Sequence, residues 1–310
     1  MTEGAPELEA RGDLVRSGFV ALVGRPNAGK STLVNAVVGT KVAITSDTPQ
    51  TTRHRLRAIV DSDDAQIVLV DTPGLHKPHD ALGEELNRSG FKALEDVDVA
   101  CLVLDASAPV GAGDRWVAAH VAAVRAAKML VITKADLVDQ HIIEQQIKSA
   151  SALADFDDVV VVSALEGFNV EGFVARIVSL LPEGPRYFPR DMATDQPLEV
   201  MVAEFIREKV LRATFEEVPH AVGVAVEDME IAQGGGLARV WATIFVERES
   251  QKGIIVGKRG ESIKRIGTEA RHDLERLLGT RVFLDLTVKV KPNWRRDSSQ
   301  IRRFGYGEGL

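Results

Sequence analysis

The chain has 310 residues, 45% of them hydrophobic, and a formal net charge of -7. Domains usually contain about 100–200 residues, so this length predicts two domains. A single cysteine, Cys101, excludes an intrachain disulfide framework and a four-thiolate metal site, and it fits a reducing compartment. No apolar stretch approaches the roughly 20 residues of a membrane-spanning helix, and the polar first residues do not resemble a secretory signal.

The net charge hides a gradient along the chain. Residues 1–251 contain 24 Lys and Arg against 38 Asp and Glu, a balance of -14. Residues 252–303 contain 14 Lys and Arg against 6 Asp and Glu, a balance of +8. Such asymmetry indicates a nucleic-acid or membrane contact near one end of the chain.

The first part of the chain alternates apolar runs with helical patterns. Continuous runs of Val, Ile and Leu predict strands buried on both faces, at residues 19–23, 67–70, 99–104, 129–132 and 159–162. Residues 56–60 alternate more and predict an edge strand. Helices are predicted at residues 30–38, 80–95, 114–127, 139–154 and 170–181. Strands that alternate with helices predict an α/β domain with a mainly parallel sheet and helices on both faces.

Four prolines between residues 181 and 197 predict a linker, because proline continues neither a helix nor a central strand. The predicted divisions are a polar tail (1–17), the first domain (18–182), the linker (183–197), a second domain (198–296) and a C-terminal tail (297–310). The second domain is predicted to have the order αββααβ, at residues 198–212, 221–230, 237–248, 250–256, 261–278 and 281–290. It is predicted to be a small α+β unit.

A phosphate-binding motif, G-x-x-x-x-G-K-S, connects the first predicted strand to the first predicted helix. Its residues are Gly24, Arg25, Pro26, Asn27, Ala28, Gly29, Lys30 and Ser31. Backbone N–H groups of such a loop surround phosphates, and the helix N-terminus adds a positive dipole. Lys30 is expected to reach the β- and γ-phosphates, and the Ser31 hydroxyl is expected to bind Mg²⁺.

Three further motifs follow the ends of later strands, and together they predict GTP rather than ATP. The first is Asp71, Thr72, Pro73, Gly74 and Leu75; the second is Thr133, Lys134, Ala135 and Asp136; the third is Ser163, Ala164 and Leu165. Asp71 is expected to hold Mg²⁺ and Gly74 to sense the γ-phosphate. Asp136 can accept two hydrogen bonds from guanine, and adenine lacks that donor pair. Thr133 stands where GTPases usually have Asn, which predicts weaker guanine binding.

Residues 39–53 occupy the position of a switch I loop, in which a threonine closes over the γ-phosphate and completes the coordination of Mg²⁺. Both Thr51 and Thr52 fit this role. Leu75 stands where many GTPases have the glutamine that orients the attacking water, so slow intrinsic turnover is expected. Three substitutes remain open: Asn27 with a bound K⁺, His76, or a partner that completes the site. A purely structural role for Asn27 is the alternative to K⁺ binding.

The second domain contains a G-x-x-G loop between two helical patterns. Its glycines allow close approach to a nucleic-acid backbone, and its cations supply charge: Gly257, Lys258, Arg259 and Gly260. Lys264, Arg265, Lys289 and Lys291 extend the basic patch, and these residues are predicted to bind RNA. Trp294 is interpreted as a core residue rather than a base-stacking ring. The loop and the element order αββααβ fit a type II KH domain.

A P-loop GTPase domain followed by a KH domain is a rare combination. With the strings QTTRHR (50–55), DTPGLH (71–76) and VKVKPNW (288–294), residues 18–296 resemble the bacterial Era GTPases. The resemblance implies that the KH domain binds the 3′ end of 16S rRNA under control of GTP and GDP, during assembly of the 30S ribosomal subunit. It also implies a mainly monomeric cytoplasmic protein that can associate peripherally with the inner face of the membrane.

Three other classes of protein share some of these features. A tRNA-modifying GTPase of the same superfamily typically has a C-terminal cysteine and a larger N-terminal domain, and this chain has neither. A double-GTPase assembly factor would need a second P-loop. An RNA-binding adaptor with an inactive nucleotide site is the remaining alternative, and nucleotide turnover distinguishes it from an enzyme.

Overall fold

The structure, a computed structural model, describes residues 14–78, 80–232 and 236–306. The strands of the first domain are β1 (Val15–Val23), β2 (Leu56–Asp61), β3 (Ala65–Asp71), β4 (Val99–Asp105), β5 (Ala127–Thr133), β6 (Asp158–Val161) and β7 (Glu183–Gly184). Its helices are α1 (Lys30–Val38), α2 (Ala81–Lys92), α3 (Ala112–Ala123), α4 (Gln140–Ser151) and α5 (Val170–Leu180).

The sheet of the first domain has the order β2-β3-β1-β4-β5-β6, and β7 pairs with β1. Every pairing is parallel except β2 with β3 and β7 with β1. One apolar core packs α1 and α5 against one face of this sheet, and a second core covers the other face. The predicted parallel sheet with helices on both faces is therefore confirmed, with β2 at the predicted edge.

The second domain contains α6 (Leu198–Ala213), α7 (Val218–Ala221), β8 (Gly223–Ile231), β9 (Leu237–Val246), α8 (Glu249–Val256), α9 (Glu261–Leu278) and β10 (Arg281–Val290). Its sheet has the order β10-β9-β8, with β10 parallel to β9 and β8 antiparallel to it. A single apolar core joins α6, α8 and α9 to one face of the sheet. The predicted α+β unit is confirmed, with the short α7 as an addition.

Several element boundaries differ from the predictions. The helix predicted at 114–127 ends at Ala123, because Val124 is extended and Ala127 already begins β5. The strand predicted from 221 begins at Gly223, after the helical turn α7 that Pro219 helps to start. The strand β1 begins at Val15, inside the predicted polar tail of residues 1–17, whose residues 1–13 lie outside the described part.

The predicted linker and C-terminal tail are both packed. Linker residues bond to the side chain of Gln66: the Phe188 carbonyl accepts from its Nε2 at 2.8 Å, and the N–H groups of Tyr187 and Phe188 donate to its Oε1. The C-terminal segment forms a helical turn (Trp294–Arg296) and then α10 (Ser298–Arg303). Its aromatic side chains are buried against α2 and β9, and this cluster contains Leu82, Leu86, Phe245, Trp294, Ile301, Phe304 and Tyr306.

No helix in the described ranges combines the length and the apolar character that crossing a membrane requires.

Candidate functional site

The phosphate loop lies between β1 and α1, as its motif predicts. The Lys30 ammonium bonds to the carbonyls of Gly24 at 3.3 Å and Arg25 at 3.1 Å, which draws its side chain across the loop. Burial lowers the pKa of Lys30 to about 8, and the nearby Asp71 carboxylate opposes this shift. A bound phosphate would favour the charged ammonium in the same way as Asp71 does.

Close backbone packing explains two glycines of the site. A Cβ on Gly24 would lie 2.4 Å from the Val103 carbonyl oxygen, and one on Gly74 would lie 2.5 Å from Cα of Pro26. Any larger residue at position 74 would therefore separate the segment after β3 from the phosphate loop. This contact places the Gly74 backbone beside the expected phosphate position, as its predicted sensing role requires.

Three oxygen-bearing side chains meet beside the loop. The Ser31 hydroxyl lies 2.7 Å from the Thr52 hydroxyl and donates to Asp71 Oδ2 at 2.6 Å. The other carboxylate oxygen of Asp71 is buried and, among the residues that the structure describes, has no hydrogen-bond partner. Burial raises the pKa of Asp71, and the Lys30 charge opposes the shift. Hard oxygen donors and an unsatisfied carboxylate oxygen fit Mg²⁺, which Ser31, Thr52 and Asp71 would hold.

Thr51, the neighbour of Thr52, is used differently. Its hydroxyl contacts the Thr48 carbonyl at 2.6 Å and the Ser46 hydroxyl at 2.9 Å, within its own loop. Its carbonyl accepts a hydrogen bond from Arg207 of α6. From these contacts we expect Thr52 to be the metal ligand and Thr51 to shape the loop.

The guanine end of the site is built from the ends of β5 and β6. Ser163 donates a hydrogen bond to Asp136 Oδ1, which orients that carboxylate. The Thr133 hydroxyl lies 2.7 Å from the Ala28 carbonyl and 3.0 Å from the Leu104 carbonyl, so it ties this motif to the phosphate loop. Threonine thus supplies the tether to the loop that asparagine usually provides, although its one hydroxyl proton serves one acceptor at a time.

Other predicted nucleotide contacts lie around these groups. Lys134 pairs with Asp105 at 2.6 Å, and its side chain lines the nucleotide pocket together with the exposed Leu165. Thr72 is buried and donates to the Leu22 carbonyl at 2.7 Å, so it supports the loop after β3 rather than facing the pocket. Pro26, Asn27, Ala28 and Gly29 line the pocket. The predicted contacts that are not among its lining residues are Gly24, Arg25, Asp71, Thr72, Pro73, Leu75, Thr133, Ala135, Asp136, Ser163 and Ala164.

Switch I is anchored to the second domain. Glu208 of α6 accepts from the Thr45 backbone N–H at 2.9 Å, and Lys41 bonds to Glu208 at 2.5 Å and to Asp273 of α9 at 2.6 Å. Burial alone would raise the pKa of Glu208, but hydrogen bonds from Lys209 and Lys41 outweigh burial and hold it below the usual value. The sequence motifs give no indication of this network, because its members are distant in the chain.

A second anchor lies at the end of switch I. The guanidinium of Arg53 is buried and donates to the carbonyls of Val222 and, at 3.1 Å, His220. It also lies over the rings of Trp294 and Tyr306, with centroid distances of 5.7 and 5.3 Å. Trp294 is fully buried and donates to the Ala221 carbonyl, which agrees with its interpretation as a core residue.

The G-x-x-G loop connects α8 to α9 and forms a helical turn over Lys258–Gly260. Gly257, Arg259 and Gly260 have positive φ angles of 74°, 55° and 79°. Beside the loop, a groove runs between α9 and β10; its lining includes Ile263, Lys264, Gly267, Arg271, Leu284 and Leu286. Of these, Lys264 and Arg271 are among the cations that the sequence places on this helix, whereas the two β10 leucines are additions from the structure.

The other basic residues predicted to bind RNA lie at two places: Arg265 is on α9, and Lys289 and Lys291 lie at the end of β10. Arg265 is on α9, one position after Lys264. Lys289 lies on the strand face opposite the helices, because the alternate residues Val288 and Val290 face the core. Lys291 bonds to Gln300 of α10. Lys289 and Lys291 therefore lie outside the groove lining.

The magnesium geometry makes adjacent threonines a direct test. Thr52→Ala should raise the Mg²⁺ concentration for half-maximal GTP hydrolysis by about tenfold or more, because a metal ligand is lost. Thr51→Ala should leave that concentration near the parental value, because its hydroxyl bonds only within switch I. A titration of hydrolysis rate against Mg²⁺ measures both, and a larger shift for Thr51→Ala would contradict the assignment.

Comparison with known proteins agrees with both domains. The family model described as 50S ribosome-binding GTPase matches residues 19–134, and the one described as KH domain matches residues 217–295. The chain is 44% identical over 293 residues to GTPase Era of Staphylococcus epidermidis, which covers 94% of this chain and 98% of that protein. GTPase Era of Staphylococcus haemolyticus has the same identity and coverage.

Solved structures agree as well. A crystal structure of Era in complex with MgGDPNP and nucleotides 1506–1542 of 16S ribosomal RNA matches with a TM-score of 0.91 and 36% identity, over 95% of this chain and 100% of that one. A variant of Aquifex aeolicus Era bound to GDP and AlF₄⁻ matches with the same values. The chain is a guanine-nucleotide-binding GTPase with a KH domain, and it belongs to the Era family.

Proposed function

We propose that this GTPase binds the 3′ end of 16S rRNA through its KH domain and acts in assembly and maturation of the 30S ribosomal subunit. The observation that carries the proposal is the groove between α9 and β10, which adjoins the G-x-x-G loop and its two cations. An Era structure of the same fold contains this part of 16S rRNA together with a GTP analogue. The balance of +8 over residues 252–303 supports an RNA ligand, because phosphate contacts dominate such binding.

Nucleotide state is proposed to reach the RNA groove through switch I. The γ-phosphate and Mg²⁺ would order Thr52, and residues of the same loop bond to α6 and α9. Helix α9 begins directly after the G-x-x-G loop, and its residue Asp273 contacts Lys41. One helix therefore joins switch I to the RNA-binding loop. The linker is a weaker candidate for this path, because Gln66 already holds it on the first domain.

Intrinsic hydrolysis is proposed to be slow and to be stimulated by K⁺. Leu75 is buried in the apolar core, so it offers no group to the attacking water. The Asn27 amide donates at 2.6 Å to the Asp47 carbonyl, which joins the phosphate loop to switch I. The amide oxygen of Asn27 and the backbone carbonyl of Asp47 are neutral oxygen ligands of the kind that a monovalent cation needs. The cation would offset the negative charge of the phosphates in the transition state.

The potassium proposal predicts a higher kcat in K⁺ than in Na⁺ buffer at equal ionic strength, and Asn27→Ala should abolish the difference. Steady-state phosphate release in the two salts measures this effect. Equal rates in the two salts for the parent protein would contradict it.

The RNA proposal predicts that the double substitution Lys258→Asp and Arg259→Asp weakens binding of a 16S 3′-terminal oligonucleotide by about tenfold or more, because two phosphate-facing cations become anions. Arg125→Asp with Lys148→Asp is the matched control, since it makes the same charge change at exposed positions of the first domain. Fluorescence anisotropy at fixed salt measures the affinities. Equal losses in the two double variants would show a general charge effect and contradict the KH assignment.

The protein is further proposed to be a cytoplasmic monomer with reversible association at the inner membrane surface. The family resemblance supports this proposal, and the single buried cysteine is compatible with a reducing compartment.

A further inference from the structure

The residue that follows the D-x-x-G motif in this chain has no group that could orient the attacking water. In many GTPases a glutamine follows the D-x-x-G motif and orients this water. Here Leu75 occupies that position and packs into the core beside α2: a Cβ added to Gly90 would lie 2.6 Å from Leu75 Cδ2. Its backbone is also held, because the Leu75 N–H donates to the Gly24 carbonyl at 3.0 Å. Residue 75 therefore does not supply the orienting group.

Switch I brings a different glutamine to the same pocket. Gln50 lines the nucleotide pocket together with Lys30, Thr52 and Gly74. Its backbone has a φ angle of 64°, in the left-handed region that non-glycine residues seldom adopt. Such conformations persist where the surrounding structure holds them, and they cluster at functional sites. Gln50 is thus a polar residue held in an uncommon conformation beside the groups expected to bind the γ-phosphate and Mg²⁺.

A contact between switch I and switch II, the segment after β3 together with α2, orients the Gln50 amide. Its Nε2 lies 2.6 Å from Nε2 of His76, and Nδ1 of His76 lies 3.3 Å from the Gly74 carbonyl oxygen. An amide nitrogen only donates, so Nε2 of His76 accepts and Nδ1 carries the proton that points to Gly74. Both contacts fit one neutral tautomer, assigned from these partners. The contact engages the amide nitrogen of Gln50, and the amide oxygen takes no part in it.

The histidine itself is fixed to α2. Asn87 accepts from the His76 backbone N–H at 3.4 Å and donates to its carbonyl at 2.6 Å. The position of the imidazole is therefore set by α2 and by Gly74, and the imidazole in turn sets the rotation of the Gln50 amide. A chain of contacts therefore runs from α2 through His76 to Gln50, which lines the pocket.

We propose that Gln50 is the catalytic residue that orients the attacking water, and that His76 is a positioning residue that holds its amide. This inference rests on GTP hydrolysis at the site described above. The Gln50 amide oxygen accepts a hydrogen bond from the water and directs its lone pair at the γ-phosphorus. The new P–O bond forms as the bond to the β–γ bridging oxygen breaks. The water's proton passes to the released phosphate and not to the amide, and GDP leaves with the bridging oxygen.

The competing explanation is that Gln50 only latches switch I to switch II. A latch would be lost equally on removal of either partner, and its loss would weaken GTP binding. Orientation of the water predicts a different pattern: loss of Gln50 lowers kcat, whereas loss of His76 only loosens an amide that is still present. The two explanations therefore differ in how kcat and GTP affinity divide between the two variants.

The test compares Gln50→Ala, His76→Ala and the double variant in single-turnover hydrolysis with excess enzyme, with GTP affinity measured separately. Gln50→Ala should lower the rate constant on the order of 10²-fold, as expected when the group that orients the attacking water is lost. GTP affinity should stay within about twofold of the parent, because Gln50 acts on the chemical step and not on GTP binding. His76→Ala should lower the rate constant less than Gln50→Ala does. The rate constant of the double variant should equal that of Gln50→Ala, because His76 acts through Gln50.

Gln140→Ala is the matched control for loss of a glutamine amide, because Gln140 lies on α4 and bonds only to Glu144 in the described contacts. Its rate should equal the parental rate. A Gln50→Ala rate within about twofold of the parent, or equal losses of rate and affinity in both single variants, would overturn the proposal. Since the parent's turnover is measured in the same experiment, failure of this inference is distinguishable from absence of GTPase activity.

Discussion

The structure depends on the carboxylate of Glu208, because it joins switch I to helices α6 and α9 of the second domain. It lies on α6, accepts from the backbone of Thr45 and pairs with Lys41 and Lys209, while those two lysines also bond to Asp273 of α9. The Glu208 side chain is fully buried. Lys41 and Lys209 balance the charges of Glu208 and Asp273, and the more exposed Arg212 and Arg276 also pair with these carboxylates. Loss of Glu208 would remove the partner that Lys41 and the Thr45 N–H share on α6, so the cluster favours one fixed arrangement of the two domains.

This arrangement makes the nucleotide pocket and the RNA groove parts of one unit. Ile44 of switch I belongs to the apolar core of the second domain, and the C-terminal aromatic cluster packs against Leu82 and Leu86 of α2. Both switches therefore touch the KH domain, one through α6 and the other through the C-terminal segment. A nucleotide that changes the energy of this interface changes RNA affinity, and by linkage RNA then changes nucleotide affinity by the same factor. Couplings of this kind are typically about 1–3 kcal/mol, or 5–150-fold in affinity.

Local patterns predicted most of the fold. The ends of α1, α9 and β10 agree with their predictions to the residue, because glycines at positive φ end both helices and a regular alternation marks the strand. The C-terminal helix was missed, because Ile301, Phe304 and Tyr306 find their apolar partners some 200 residues away on α2. The two threonines of switch I could not be distinguished from the sequence either, because their side chains are identical. The contacts that separate them come from distant parts of the chain: Ser31 contacts the Thr52 hydroxyl, and Arg207 bonds to the Thr51 carbonyl. Gln50 gave no signal because its role depends on its contact with His76.

The central claim is that switch I transmits nucleotide state to the RNA groove through the Lys41 contact with α6 and α9, and a comparison of RNA affinities tests it most directly. The measurement is the Kd of the 16S 3′-terminal oligonucleotide with GDP and with GDPNP, for the parent and for Lys41→Met, which removes the ammonium that lies over the Phe205 ring and replaces the lysine stem with an apolar chain of similar length. Lys209 still pairs with Glu208 and Asp273 in this variant, so the interface retains a compensating charge. The account predicts that the ratio of the two Kd values differs from one by at least about fivefold in the parent and falls toward one in the variant. An unchanged ratio in Lys41→Met, with RNA binding intact, would contradict the account.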